Sequence, residues 1–262
     1  MSPATNQSFG QVELNRFFRE AGSRLTAQEA VAEVNPVELS RFFDGAKRQL
    51  ELAEQLDRTE ASSFNVFDLI RPDENRLSDV LALLLNPRGA HGQGDLFLRL
   101  LIKHLDSGLS PQHTKQAWVQ REAPTHRIDN NRRRIDVLVD ANDLVAIENK
   151  VNAAEQQEQV KDYLEHLRCW SESRSVRSTL IYLTPGGRPP DSISREIVDR
   201  EVAGNQLRCW SYGQHLREWL EVCRSQCEAP RFRDFLSDFI HYIELVLKRE
   251  SENQQEQITC EH

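Results

Sequence analysis

Two short apolar runs, residues 135–139 and 144–151, lie so close together that they restrict the chain more than any other feature. In the first, Ile135, Val137 and Val139 alternate with Asp136, Leu138 and Asp140, the period-two pattern of a β-strand. The second reads as another strand, and Ala141-Asn142-Asp143 between them as a short hairpin turn. A chain built around this hairpin must contain a sheet. The hairpin also brings Asp136 beside Glu148, each at the end of an apolar run. Side chains two apart on a strand share a face, so Glu148 and Lys150 point the same way.

The surroundings predict an α/β fold, a mixed central sheet flanked by helices. Upstream, Leu77, Val80, Leu81, Leu84 and Leu85 make an apolar helix face. Pro72-Asp73-Glu74 is good helix-start chemistry, and Asn86-Pro87-Arg88-Gly89 stops the helix. A Gly-rich loop, residues 90–95, leads into a second buried helix over 96–105, and a first strand is expected over 117–122. Downstream, the pattern predicts a helix over 155–170 and a strand over 178–183 that ends at Thr184-Pro185-Gly186-Gly187. A loop rich in Pro and Arg, a last strand over 206–210 and helices over 213–226 and 230–249 follow.

Residues 1–60 read as a separate, polar, helical N-terminal segment. Within it Val12-Glu-Leu-Asn-Arg-Phe-Phe18 recurs as Val37-Glu-Leu-Ser-Arg-Phe-Phe43. Two amphipathic helices that happen to look alike explain this; so does a duplicated helix that pairs with itself, within one chain or across a dimer. Residues 61–250 read as the main domain, and 251–262 as a polar, disordered tail.

At 262 residues, with 39% hydrophobic and 28% charged residues, the composition is that of a polar globular protein. No stretch approaches the roughly 20 apolar residues that span a bilayer, and the start has no secretory signal pattern. The five cysteines form no framework and read as reduced thiols in a cytoplasmic protein. Cys223 and Cys227 stand at helical spacing without the further ligands a zinc site needs. A net charge of −8 runs against a nucleic-acid binder, but a local basic patch can outweigh it at a contact surface.

Two carboxylates and an amine at the edge of a sheet suit phosphodiester hydrolysis. Mg²⁺ takes hard oxygen ligands and keeps several waters, and a nearby lysine can hold the attacking water or stabilise developing charge. From these three residues alone, a solvent-facing cross-strand ion-pair face explains Asp136, Glu148 and Lys150 as well.

Taken with their neighbours, the residues resemble a known family. Ile135-Asp136-Val137 with Ile147-Glu148-Asn149-Lys150 is similar to the Asp…Glu-x-Lys signature of the PD-(D/E)XK nuclease superfamily, whose fold is restriction-endonuclease-like. Gln159-Val160-Lys161-Asp162-Tyr163 matches the Gln-x-x-x-Tyr motif of some of its branches. Phe64-Asn65-Val66-Phe67, Glu74-x-x-x-Ser78, Leu83-Leu84-Leu85-Asn86-Pro87 and His91-Gly92 resemble the entry helix of a bacterial branch. The likeness runs from Phe64 to about Lys248. It departs in one place, where Ile135 stands in the position of the signature proline.

The resemblance implies that Asp136 and Glu148 are metal ligands and Lys150 the catalytic lysine. It makes Glu74 a further acidic ligand, direct or through water. Gln159 and Tyr163 would orient the lysine or a substrate phosphate. For Glu74 the alternative is a first-turn carboxylate favoured by the helix dipole; for Tyr163, core packing; for Gln159, a solvent-facing helix position. Arg132, Arg133 and Arg134, with His126 and Arg127 just before them, and Arg188 beside Gly186-Gly187, are the candidate nucleic-acid contacts. A solvated turn is the alternative for the arginine run. His91, Trp118, Trp170 and Trp210 are weaker candidates.

The implied activity is Mg²⁺-dependent endonucleolytic cleavage of DNA, double-stranded favoured, with Mn²⁺ able to substitute, in bacterial defence or DNA processing. No base-reading module is present. An unselective nuclease needs restraint, so an activating or targeting partner protein or a homodimer is expected, with no membrane. The rivals are an RNA or tRNA nuclease and a catalytically silent nuclease-fold binding protein.

Overall fold

The computed structural model describes residues 36–61, 64–128, 133–151 and 155–247. The chain divides into two compact units, Met1–Asn65 and Val66–His262. In the first, helix α1 (Pro36–Glu60) is the described element, and the second copy of the repeated heptapeptide forms its opening turns. The first copy, residues 12–18, lies outside the described residues, as do residues 251–262.

The second unit is a five-stranded mixed sheet with helices on both faces. Strands β1 (Trp118–Pro124), β2 (Arg134–Ala141) and β3 (Asp143–Asn149) form the antiparallel part. Strands β4 (Ser178–Thr184) and β5 (Leu207–Ser211) continue it in parallel, in the spatial order β1-β2-β3-β4-β5. The antiparallel strands need only a hairpin; the parallel ones need crossovers. Helices α5 (Gln159–Arg174) and α6 (Arg195–Ala203) provide them.

Alternation along β3 divides the core. Val145 and Ile147 join one apolar cluster with α3 (Glu74–Leu85), α4 (Leu96–Leu105), α7 (Arg217–Gln226) and α8 (Pro230–Tyr242). Leu144 and Ala146 join the other with Val160, Tyr163 and Leu167 of α5. All seven β3 residues are buried, so β3 is the spine of the unit. A five-residue helix, α2 (Val66–Ile70), precedes α3 and inserts Phe67, whose ring stacks 4.9 Å from Phe239.

The elements differ from the sequence expectation in several places. Helix α5 starts at Gln159 and not near 155, because Glu155 is held elsewhere. Its carboxylate accepts from Tyr182 Oη and from the backbone N–H groups of Asp191 and Ser192, while Glu158 turns the chain with φ 57°. The Pro- and Arg-rich stretch read as a loop contains α6. That helix buries only Val198 and Glu201, too few apolar positions to show a period. The helix expected over 213–226 opens with a π-turn, Tyr212–Leu216.

Candidate active site

The β2–β3 register sets the pair of carboxylates. The last bonded partners are Val137 and Ile147, so one step on Asp136 and Glu148 come opposite each other and share a face. Glu148 follows Leu144 and Ala146 toward α5. There it is 1% exposed, at the point where the apolar floor of the second cluster ends.

Glu148 Oε1 accepts from Lys150 Nζ at 3.1 Å and from Gln159 Nε2 at 2.7 Å. Glu148 Oε2 is fully enclosed and has no hydrogen-bond partner among the described residues. Burial, reinforced by the charge of Asp136 and only partly offset by Lys150, pushes the Glu148 carboxyl up to about 8. Burial also raises Asp136, against the Asn149 backbone N–H that donates to its Oδ2 at 2.8 Å and the charges of Lys150 and Arg121. For Lys150, burial alone would lower the ammonium; Glu148, then Glu74 and Asp136, outweigh it and hold it above the ordinary value.

The other expected residues converge on the same place. Gln159 is buried, not solvent-facing, and its amide also donates to Tyr163 Oη at 2.9 Å. Tyr163 Oη donates to the Arg134 carbonyl at 2.6 Å, and burial raises its phenol. Helix α3 is capped by Asp73, which accepts from Arg76 N at 2.8 Å. The cap directs Glu74 toward β3, where its Oε1 accepts from Val151 N at 2.7 Å. Glu74 thus touches the chain one residue beyond Lys150.

Two desolvated carboxylates that repel each other, one with an oxygen lacking a partner among the described residues, suit a hard divalent cation. Mg²⁺ often takes only one or two protein carboxylates and completes its shell with water and phosphate. Among the described residues no three Asp, Glu, His or Cys side chains form a closed metal cage. Asp136 and Glu148 stand across the hairpin from each other as a pair of carboxylates.

Among the described arginines, Arg133, Arg127 and Arg188 each engage a different partner. The Arg133 guanidinium is taken up by Asp162, by Gln156 Oε1 at 2.8 Å and by the Gln157 carbonyl. Arg133 and Asp162 side chains are only 11% and 13% exposed, so Arg133 clamps the hairpin to the start of α5. Arg127 lies over the Trp170 ring, 4.9 Å from its centroid. Arg188 pairs with Asp191 at 2.6 Å and with Glu155 at 3.8 Å. Arg134 is exposed beside the site, and Arg132 lies outside the described residues.

His91 and the Gly-Gly turn have local structural roles. His91 Nε2 lies 2.9 Å from the Asn86 carbonyl and its Nδ1 accepts from Gln93 N at 3.0 Å, which staples the loop. Trp210 is core, 4% exposed, whereas Trp118 is 50% exposed on the edge strand. Gly187 has φ +78°, and a Cβ there would stand 3.2 Å from Ser211 Cβ. Gly187→Ala is therefore expected to cost about 1–2 kcal/mol in denaturant unfolding, with Mn²⁺ binding unchanged; an unaltered midpoint would contradict this reading of the turn.

Sequence reasoning passed over Asn149, Arg121 and Tyr212. Arg121 bonds the Asp136 carbonyl, the Asn75 carbonyl at 3.1 Å and Asp79 at 2.9 Å, tying β1, β2 and α3 together. No local signal marks these residues, because their partners are 13 to 75 positions away.

Comparison with known proteins gives one match: the family model of the PD-(D/E)XK nuclease superfamily covers residues 64–241. No curated protein and no solved structure matches the chain.

Proposed function

Because the chain belongs to the PD-(D/E)XK nuclease superfamily, a family of nuclease-type phosphodiesterases, we propose that it is a Mg²⁺-dependent endonuclease acting on DNA. The observation that carries this reading is Glu148. It is a buried carboxylate with one oxygen fixed by Lys150 and Gln159 and the other without a partner among the described residues, facing a second carboxylate across the hairpin. Burying such a group is costly unless something compensates it. A silent scaffold has no need to retain it.

Asp136 and Glu148 would hold the cation, with Glu74 contributing directly or through water, and Mn²⁺ would substitute for Mg²⁺. When bound, the metal polarises a phosphoryl oxygen and lowers the pKa of a coordinated water. Lys150 remains an ammonium and donates to charge developing on the phosphate. Gln159, locked by Tyr163, keeps the Glu148 oxygen and the Lys150 amine in register. Arg134 and residue Arg132 are the proposed phosphate contacts; Arg127 and Arg188 can join them only by leaving the partners they hold. Double-stranded DNA, a cytoplasmic setting in defence or DNA processing, and an activating partner or homodimer contact on residues 1–60 complete the proposal. No helix among the described residues is long and apolar enough to cross a membrane.

The test is incubation with supercoiled plasmid, single-stranded DNA and RNA in Mg²⁺, Mn²⁺ or EDTA, beside Asp136→Ala and Lys150→Ala. Metal-dependent plasmid nicking that both substitutions abolish is the expected result. Cleavage of RNA alone would replace the DNA assignment. Absence of Mn²⁺ binding to the folded parent would overturn the reading.

A further inference from the structure

Glu148 and Lys150 face α5, so the residue between them must face the other way. Asn149 is 1% exposed and enters the larger core. Its amide Nδ2 donates to the Glu74 carbonyl at 3.1 Å and to Ser78 Oγ at 3.2 Å. Its Oδ1 accepts from Tyr212 Oη at 2.8 Å. The amide orientation is unambiguous, because a backbone carbonyl can only accept. The backbone N–H of the same residue holds Asp136 Oδ2. One residue therefore touches β2, the start of α3 and the π-turn after β5.

We propose that Asn149 and Tyr212 are positioning residues, which fix the Glu74 end of helix α3 against the Asp136–Glu148 pair. The inference rests on the functional reading above. Its physical basis is the cost of the alternative. Tyr212 is fully buried, and a buried pair of polar groups gives little net stability compared with well-packed apolar ones. What such a network supplies is registry. The Asn149 amide holds Glu74 by its carbonyl and Val151 N–H holds it by its carboxylate, so the helix end is gripped on both sides of Lys150. Tyr212 supplies the third anchor from 63 residues further along the chain. An acidic group displaced by about 1 Å loses much of its value in a reacting geometry.

The test compares Tyr212→Phe, Asn149→Ala, the double variant and Asp136→Ala. Mn²⁺ affinity is measured by calorimetry and single-turnover cleavage at saturating DNA, with melting curves to choose a temperature at which each chain is folded. Tyr212→Phe removes one oxygen and keeps the ring, so it tests the proposal even if Asn149→Ala does not fold. The expected result is a loss of about 10- to 100-fold in Mn²⁺ affinity or cleavage rate, with KM for DNA unchanged. The double variant should be no worse than Asn149→Ala alone, since Tyr212 acts through it. Mn²⁺ affinity and cleavage within about twofold of the parent in Tyr212→Phe, while Asp136→Ala binds no metal, would overturn this inference and leave the functional reading standing. Parental Mn²⁺ affinity and activity in Asp136→Ala would overturn both.

Discussion

Glu148→Gln is expected to lower cleavage by on the order of a thousandfold while making the metal-free protein no less stable at pH 8. The variant keeps an oxygen to accept from Gln159 and Lys150, and removes a charge that burial and Asp136 disfavour. The sign of the pH effect follows from linkage. The Glu148 carboxyl stands at about 8 in the folded chain against an ordinary value of 4.5, so between these limits the folded state binds the proton more tightly than the unfolded state. That contribution to stability is complete below the ordinary value and is lost as pH rises through the folded one. Melting curves in EDTA at several pH values should show the parent weakening toward pH 8 and Glu148→Gln lacking that decline. A divalent cation should restore the parent most at the alkaline end, because it replaces the proton. A parent whose melting temperature is flat with pH in EDTA would sink this account of the site.

Arg133→Ala is expected to reduce stability and not, at equal folded fraction, DNA affinity. Arg133 and Asp162 form a nearly enclosed pair between the hairpin and α5, and the same guanidinium holds Gln156 and the Gln157 carbonyl. Removing one partner of a buried ion pair costs about 3–5 kcal/mol. For a chain of this size that corresponds to a melting temperature lower by on the order of 10 °C. Arg133→Lys keeps the charge but not the planar fork, and should recover only part of the loss. The measurement is a melting curve beside DNA binding at a temperature where both chains are folded. A parental melting point with weakened binding would return Arg133 to the phosphate-contacting surface. The same experiment on Arg134, which is exposed, should show the opposite pattern.

Sequence sufficed where physical cause is local. Alternation over residues 135–139, the short turn and the buried run after it dictate the hairpin; its register places Asp136 across from Glu148. Helical spacing from Leu77 to Leu85 likewise dictates α3, and its cap at Asp73 turns Glu74 inward. Those patterns, with the Gln159 and Tyr163 spacing, were enough to name the family that covers residues 64–241. Helix α6 was not legible, since a surface helix that buries one valine and one paired glutamate leaves no apolar period.

Tertiary structure alone decided the state and support of the candidate site. Whether Asp136, Glu148 and Lys150 formed a solvated ion-pair face or a desolvated cluster depended on what covered them. With α5 packed against β3, Glu148 is buried and its second oxygen has no partner among the described residues. The arginine run could be read as a phosphate surface until Asp162, on a different element, engaged Arg133. Asn149 had no assigned role between Glu148 and Lys150 in the sequence; Tyr212, folded beneath it, supplies its partner. Periodicity and capping act over a few residues and are written in the sequence. Desolvation and ion pairing are set by distances between atoms far apart in the chain, which exist only once the sheet has closed against its helices.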